Sequence, residues 1–359
     1  MDQTHLGYMN YWQQPMRNSL PTMSYVQTQL NSLTELIGVT CEANNGTVPG
    51  DDQYHGNGGG TLALPAMDPY MPTATRWIDI FARGTASFSY KVNIPVSYVT
   101  ASSTSGTILA SGAASDMDHR IYLSVNWAAA PAGTSSVTIT VTTDNGGAFP
   151  YNQQHPYGSQ YGVPTITLQL NNRAVPSSFH GFVEGDGVVS MEPEHFTSNT
   201  SSATASAYYA VLPGYGRTLS GVTLLPPNAP VQALGAGPKL SYNFYTFESS
   251  ATATVYVVVG ETLNTDPNNP VAYAVSIDNA APVTVQPIPI TTLGSYGNQW
   301  NAMVGNAATW NTLTVPNVAA GAHTLNLWAL TPSVTFQKVW VDMGGLRASY
   351  LGPPESVRV

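Results

Sequence analysis

Phe88-Ser89-Tyr90-Lys91-Val92-Asn93-Ile94 alternates large apolar and polar side chains one by one. In an extended chain successive side chains point to opposite faces, so Phe88, Tyr90, Val92 and Ile94 line one side. This is the period of a half-buried strand. It returns on both sides of the quoted stretch: in Arg76–Phe81, in Ile121, Leu123, Val125 and Trp127, in Val137, Ile139 and Val141, and in Ile166, Leu168 and Leu170, with turn residues between the runs. Residues 76–172 therefore read as a β-sandwich.

The alternation lapses between Asn171 and Gly187, and 173–187 reads as a linker. A second series follows: Val188–Met191, Leu240–Phe247, Ala251–Val259, Ala272–Ile277, Val283–Gln286, Thr312–Val315, His323–Leu330 and Val334–Asp342. Eight runs of this kind suit a jelly roll, so 188–359 is assigned to a second sandwich. Upstream, Val26, Leu30, Leu33 and Ile37 fall at helical spacing between Pro21 and Gly38, which predicts one amphipathic helix within a helical segment 1–38. Segment 39–75 is dense in Gly, Pro, Asn and Asp and is expected to be loop. The expected architecture is mainly β: two consecutive jelly-roll-like sandwiches with separately packed cores, preceded by one short helical segment.

Composition narrows the function. A chain of 359 residues has room for two domains at about 100–200 residues each. Only 9% of it is charged, so hydroxyls and amides keep the surface polar, a habit of secreted proteins that work on neutral polysaccharide. A net charge of −9 with 11 Lys and Arg excludes nucleic acid as a partner, because phosphate binding draws on clustered cations. Cys41 stands alone, which rules out an intrachain disulfide and a thiolate zinc site. No run reaches the roughly 18 apolar residues of a membrane span, and Met1-Asp-Gln-Thr-His opens without the pattern of an export signal. Asn45-Gly46-Thr47 and Asn199-Thr200-Ser201 are glycosylation acceptors, usable if the parent protein is extracellular.

Phosphate loops, nucleophile elbows, His-Glu-x-x-His helices and Cys-x-x-Cys pairs are all missing from the sequence. What remains are carboxylates and aromatics. A glycosidase needs two carboxyls roughly 5–10 Å apart, but the close pairs Asp51/Asp52 and Asp116/Asp118 read as solvated turn acids. Glu192 and Glu194 differ, since residues two apart on a strand share a face. With Asp342 near the last strand they are candidate ligands of a structural calcium, a metal that takes oxygen donors. Pro193 between them favours an edge position, where such acids are otherwise simply exposed. No other cofactor is required. Trp77, Trp127, Trp328 and Trp340 sit inside alternating runs and are expected to be core. Tyr296 and Trp300 lie in the polar stretch Gly294-Ser-Tyr-Gly-Asn-Gln-Trp-Asn301 and are the first candidates for stacking on a sugar ring, with Tyr215 and Arg217 second. Packing under a long loop is the alternative for all four.

Several stretches carry a family resemblance. Val189-Ser-Met-Glu-Pro-Glu-His-Phe-Thr197, Gly214-Tyr-Gly-Arg-Thr218, Lys239-Leu-Ser-Tyr-Asn-Phe244, Val275-Ser-Ile-Asp278, Gly321-Ala-His-Thr-Leu325 and Leu351-Gly-Pro-Pro-Glu-Ser356 resemble the C-terminal domain of family 115 glycoside hydrolases, the xylan α-glucuronidases. Trp12-Gln-Gln-Pro-Met-Arg-Asn18 resembles the end of those enzymes' helical domain, and Arg76-Trp-Ile-Asp-Ile-Phe-Ala-Arg-Gly84 the start of their inserted sandwich. The resemblance implies an inverting enzyme that removes glucuronic or 4-O-methylglucuronic acid from xylan with residues of an N-terminal domain and a (β/α)8 barrel. Such a barrel takes about 250 residues of alternating strand and helix, and this sequence has no such pattern, so no catalytic residue is carried over. The opening Met191-Glu-Pro-Glu194 is also similar to that of carbohydrate-binding modules of families 6 and 35, where glutamates hold structural calcium; Pro193 stands where those modules have a small residue.

The expectation is a non-catalytic accessory part of an α-glucuronidase, inactive alone. Its expected partners are xylan or glucuronoxylan, with either a second copy in a homodimer or a catalytic barrel. Two other readings stay open: a small stand-alone hydrolase, and a structural or interaction module without sugar affinity.

Overall fold

The computed structural model describes residues 37–44, 46–48, 61–82, 87–143, 163–200, 206–235, 237–264, 266, 268–288 and 298–359. The fold is mainly β, in two sandwiches.

The first sandwich contains β1 (Ile37–Cys41), β2 (Thr61–Met67), β3 (Thr75–Ala82), β4 (Phe88–Asn93), β5 (Val99–Ala101), β6 (Ser105–Ile108), the single-turn α1 (Ala114–Met117), β7 (Asp118–Val125), β8 (Gly133–Thr143) and β9 (Thr165–Asn172). One sheet runs β1-β3-β7-β5 and the other β2-β9-β8-β4-β6. Ile78, Ile80, Ile121 and Leu123 of the first sheet share one buried cluster with Phe88, Tyr90, Val92, Ile139 and Leu168 of the second. The alternation read in the sequence thus becomes the two inner faces of a sandwich.

Three expectations for this half change. Ile37, placed at the end of a helix, opens β1 and pairs with Ala82 of β3. Its neighbours Val39 and Cys41 are buried on the same side, so the period there is two. Segment 39–75, expected as loop, contributes most of β1 and all of β2. The latter pairs in parallel with β9 and buries Leu62, Leu64 and Met67. Trp77 faces outward and is half-buried beneath the Arg120 guanidinium, 3.9 Å from its ring centroid, and Trp127 is half-buried too. Trp328 and Trp340 are buried as expected. The rest of the helical segment lies outside the described residues.

The second sandwich contains β10 (Phe182–Val183), β11 (Val188–Met191), β12 (Ser198–Thr200), β13 (Tyr208–Leu212), β14 (Gly221–Leu225), β15 (Lys239–Thr246), β16 (Ser250–Gly260), β17 (Tyr273–Ile277), β18 (Val283–Val285), α2 (Asn298–Asn306), β19 (Ala308–Val318), β20 (Gly321–Ala329) and β21 (Thr335–Asp342). Its sheets run β10-β15-β20-β17-β18, with β12 beside β15, and β13-β14-β21-β16-β19, with β11 beside β21. Tyr242, Phe244, Tyr273, Leu325 and Leu327 meet Val255, Val257, Phe336, Val339 and Val341 in the core between them.

The end of the expected linker belongs to this second unit. Phe182 and Val183 are buried and pair with β15, and the residues after them build a junction. Arg76, with 1% of its side chain exposed, binds Glu42 through Nη1 at 2.9 Å and Asp186 through Nη2 at 2.9 Å. Arg347 answers from the other side, reaching Glu42 at 2.6 Å and Asp186 at 3.0 Å. Asp68 accepts the Asp186 amide at 3.0 Å, and Tyr70 stacks on Phe247 with centroids 5.5 Å apart. Gly185 is needed where the sandwiches touch, since a Cβ there would collide with the carbonyl of Tyr70.

Candidate functional site

The proposed calcium ligands are not brought together. β11 runs antiparallel to β21 with Val188 opposite Asp342 and Met191 opposite Val339, so Glu192 and Asp342 lie at opposite ends of the pairing. Glu194 is not two strand residues from Glu192, because Pro193–His195 turn into a 3-10 helix. Proline, with no N–H to give a ladder and φ set for a helical first turn, explains the break. Asp342 Oδ1 caps the following turn, accepting the amides of Gly344 at 2.8 Å and Leu346 at 3.1 Å. Glu192 receives the Lys338 ammonium at 3.1 Å and the Thr218 hydroxyl, with both charged side chains almost wholly buried. Among the described residues no group of three or more His, Cys, Asp or Glu is placed to hold a metal ion. The three carboxylates do not fit a calcium site.

Of the aromatic candidates, Tyr296 lies outside the described residues. Trp300 belongs to α2 instead of a loop, and its side chain lies outside the described residues. With three Asn and a Gly in nine residues the segment has little helical preference of its own; Met303, which is 3% exposed, docks it, and it ends at Ala307 in the left-handed region at φ 52°.

Tyr215 and Arg217 sit in the turn between β13 and β14, and the end of α2 comes to them. Arg217 donates through Nη1 to the Asn306 carbonyl at 2.8 Å and through Nη2 to the Tyr350 carbonyl at 2.7 Å. Its guanidinium lies 4.6 Å from the Trp310 ring centroid and 4.2 Å from that of Tyr350. Arg217 is therefore spent on holding this corner together. Tyr350 is 67% exposed and Tyr215 46%, so the ring backed by the cation keeps a face for solvent. Sequence reading missed Tyr350. Its signal was the one applied to Tyr296, an aromatic among small and turn-forming residues: Ala348-Ser-Tyr-Leu-Gly-Pro-Pro354.

Two clefts accompany this platform. One opens at the junction and is lined by Arg76, Arg347, Asp186, Pro72, Pro353 and Pro354. The second lies over β15 and β20 and is lined by Phe179, His180, Asn243, Asp278 and His323. Its polar groups are largely paired already: Thr324 Oγ1 with Asn243 at 3.1 Å and His323 with Asp278 at 2.8 Å.

Taken together these features define a two-sandwich β protein whose C-terminal half presents ring-bearing loops at one corner. That half, residues 181–355, matches the Glycosyl hydrolase family 115 C-terminal domain. Similar solved structures include a family GH115 4-O-methyl-α-glucuronidase, BtGH115A, with specificity for decorated arabinogalactans, at 18% identity and a TM-score of 0.27. The match covers 41% of this chain and only 17% of that one. The C-terminal family 6 carbohydrate-binding module of LamC from Zobellia galactanivorans matches at 14% identity and a TM-score of 0.27, over 43% of this chain and 98% of its own. A family 35 module from Clostridium thermocellum does so at 15% and 0.26, over 43% and 97%. Among curated proteins, none matches the chain.

Proposed function

We propose that this chain is a non-catalytic, carbohydrate-binding part of a xylan α-glucuronidase that works outside the cell beside a catalytic barrel, and that its corner platform holds xylan or glucuronoxylan. The observation that carries this reading is Tyr350, a ring left 67% exposed on a loop while its other surroundings, the Arg217 guanidinium and its own carbonyl's bond to that group, fix it in place. A pyranose stacks its C–H face on such a ring, and a ring held before binding loses little freedom on contact. Tyr215 adds a second exposed ring from the same turn as Arg217. Asn199 is exposed on β12, which agrees with an extracellular parent.

The experiment is titration calorimetry of the chain against glucuronoxylan, arabinoxylan and cellulose, with Tyr350→Ala and Tyr215→Ala alongside. Loss of one stacked ring is expected to weaken xylan binding roughly tenfold, about 1.4 kcal/mol, with near-UV dichroism unchanged. Binding that is untouched in both variants, or absent in the wild type, sinks the proposal. Chromatography of products from glucuronoxylan is expected to show no free 4-O-methylglucuronic acid.

A further inference from the structure

We infer that the Lys338 ammonium is the internal cation of the C-terminal sandwich, standing at Glu192 where a metal ion would have to stand and fixing the turn that carries Tyr215 and Arg217. Lys338 lies in the middle of β21, opposite Val258 of β16. Its side chain is 1% exposed and that of Glu192 2%. The stem runs under the C-terminal segment, so that a Cβ on Gly352 would lie 3.6 Å from Lys338 Cδ. At its tip, Nζ is 3.1 Å from Glu192 Oε1 and 3.0 Å from Thr218 Oγ1, and Thr218 donates in turn to the same carboxylate oxygen. The three groups close a triangle: the ammonium donates twice, the hydroxyl accepts once and donates once, and the carboxylate accepts twice.

Burial makes this arrangement hard to replace. A lone carboxylate or a lone ammonium out of water is costly, and each of these neutralises the other. A calcium ion asks for six to eight oxygens, yet Glu192 Oε2 is the only carboxylate oxygen of the three candidates that is both at this spot and without a partner. A dication would also have to sit against the ammonium in a medium that screens poorly.

The triangle reaches the platform through one residue. Thr218 follows Arg217, whose amide donates to the Gln337 carbonyl at 3.3 Å, next to Lys338 on β21. The lysine thus pins the turn on which Arg217 approaches Tyr350. This consequence for sugar binding rests on the platform reading, whereas the cation itself is tested without it.

The test is the melting temperature of the full chain in excess chelator and in millimolar calcium, together with Lys338→Met, Glu192→Gln and the double variant. The wild type is expected to melt at the same temperature in both buffers. Lys338→Met, which strands Glu192, is expected to melt lower by at least about 5 °C, and the double variant to recover much of that loss, since the two sites couple. A wild-type melting point that climbs several degrees with calcium overturns the inference, even if Lys338→Met proves too unstable to purify. So does a Lys338→Met protein that melts with the wild type. Should the wild type bind no xylan while ignoring calcium, the platform falls and the lysine assignment stands.

Discussion

At Arg76 a guanidinium is tolerated with 1% of its side chain exposed because its two terminal nitrogens are divided between Glu42, Asp186 and the carbonyl of Ala66. Removing it would leave two carboxylates facing a junction with half their compensation gone. Arg347 meets the same carboxylates, but 42% of its side chain is in water, which screens what it contributes. Arg76→Met is therefore expected to cost about 3–5 kcal/mol and Arg347→Met about 1 kcal/mol or less, read from urea unfolding of each variant. Equal losses would show that burial does not decide the difference. Each buried cation sits in a strand run that carries other polar residues, Asp79 after Arg76 and Thr335 and Gln337 before Lys338, so neither stands out locally. Arg76 opens Arg-Trp-Ile-Asp-Ile and Lys338 interrupts Val334–Val341. Which carboxylate answers such a charge depends on strand register, and that is not written locally.

Among the elements, α2 is held by Met303 buried beneath it and by the Arg217 bond to the Asn306 carbonyl at its end. A nine-residue helix does not hold itself in water. Arg217→Ala is expected to speed amide hydrogen exchange across residues 298–306 while leaving β16 and β21 protected, as followed by mass spectrometry; unchanged exchange would mean that Met303 alone docks the helix. The helix also shows where legibility stopped. β4, β8 and β9 could be read directly, because one face of each meets a core and the other meets water, so the pattern is in the residues themselves. β1 and β2 could not. Ile37 also completes a helical stripe with Leu33 and Leu30, and Thr61–Met67 lies among glycines and prolines. What makes these segments strands is pairing with β3 and with the distant β9, a tertiary cause that overrides local preference. The site divides in the same way. Tyr215 and Arg217 announced themselves in a Gly-rich turn, but the duty of Arg217 as a brace for Tyr350 follows from a contact 133 residues away.

At the scale of the molecule the described residues form two separate apolar cores, and charge, hydrogen bonding and the Tyr70–Phe247 stack cross between them. Two carboxyls in that crossing are nearly excluded from water, Asp68 at 4% and Glu184 at 3% exposure. Burial raises the pKa of both, only partly offset by the amides of Asp186 and Tyr70 at Asp68 and of Phe247 at Glu184, and by the charge of Arg173. A carboxyl raised in this way keeps its proton in the folded protein at a pH where the unfolded chain has released it. Linkage then fixes the sign: the stability it contributes is full below the ordinary carboxylate range and is lost as pH rises through the raised value. These two groups should favour the assembled sandwiches in mild acid, opposite to the usual effect of ion-paired carboxylates. Other acids titrate over the same range, so the measurement has to be differential. Asp68→Asn and Glu184→Gln remove the titrating proton. The stability of the wild type relative to either variant is expected to grow as pH falls from neutrality into the ordinary carboxylate range, about 4, followed by thermal melting in matched buffers. A difference that stays flat, or that shrinks in acid, would mean that water reaches these carboxyls and that the junction opens more readily than its burial implies.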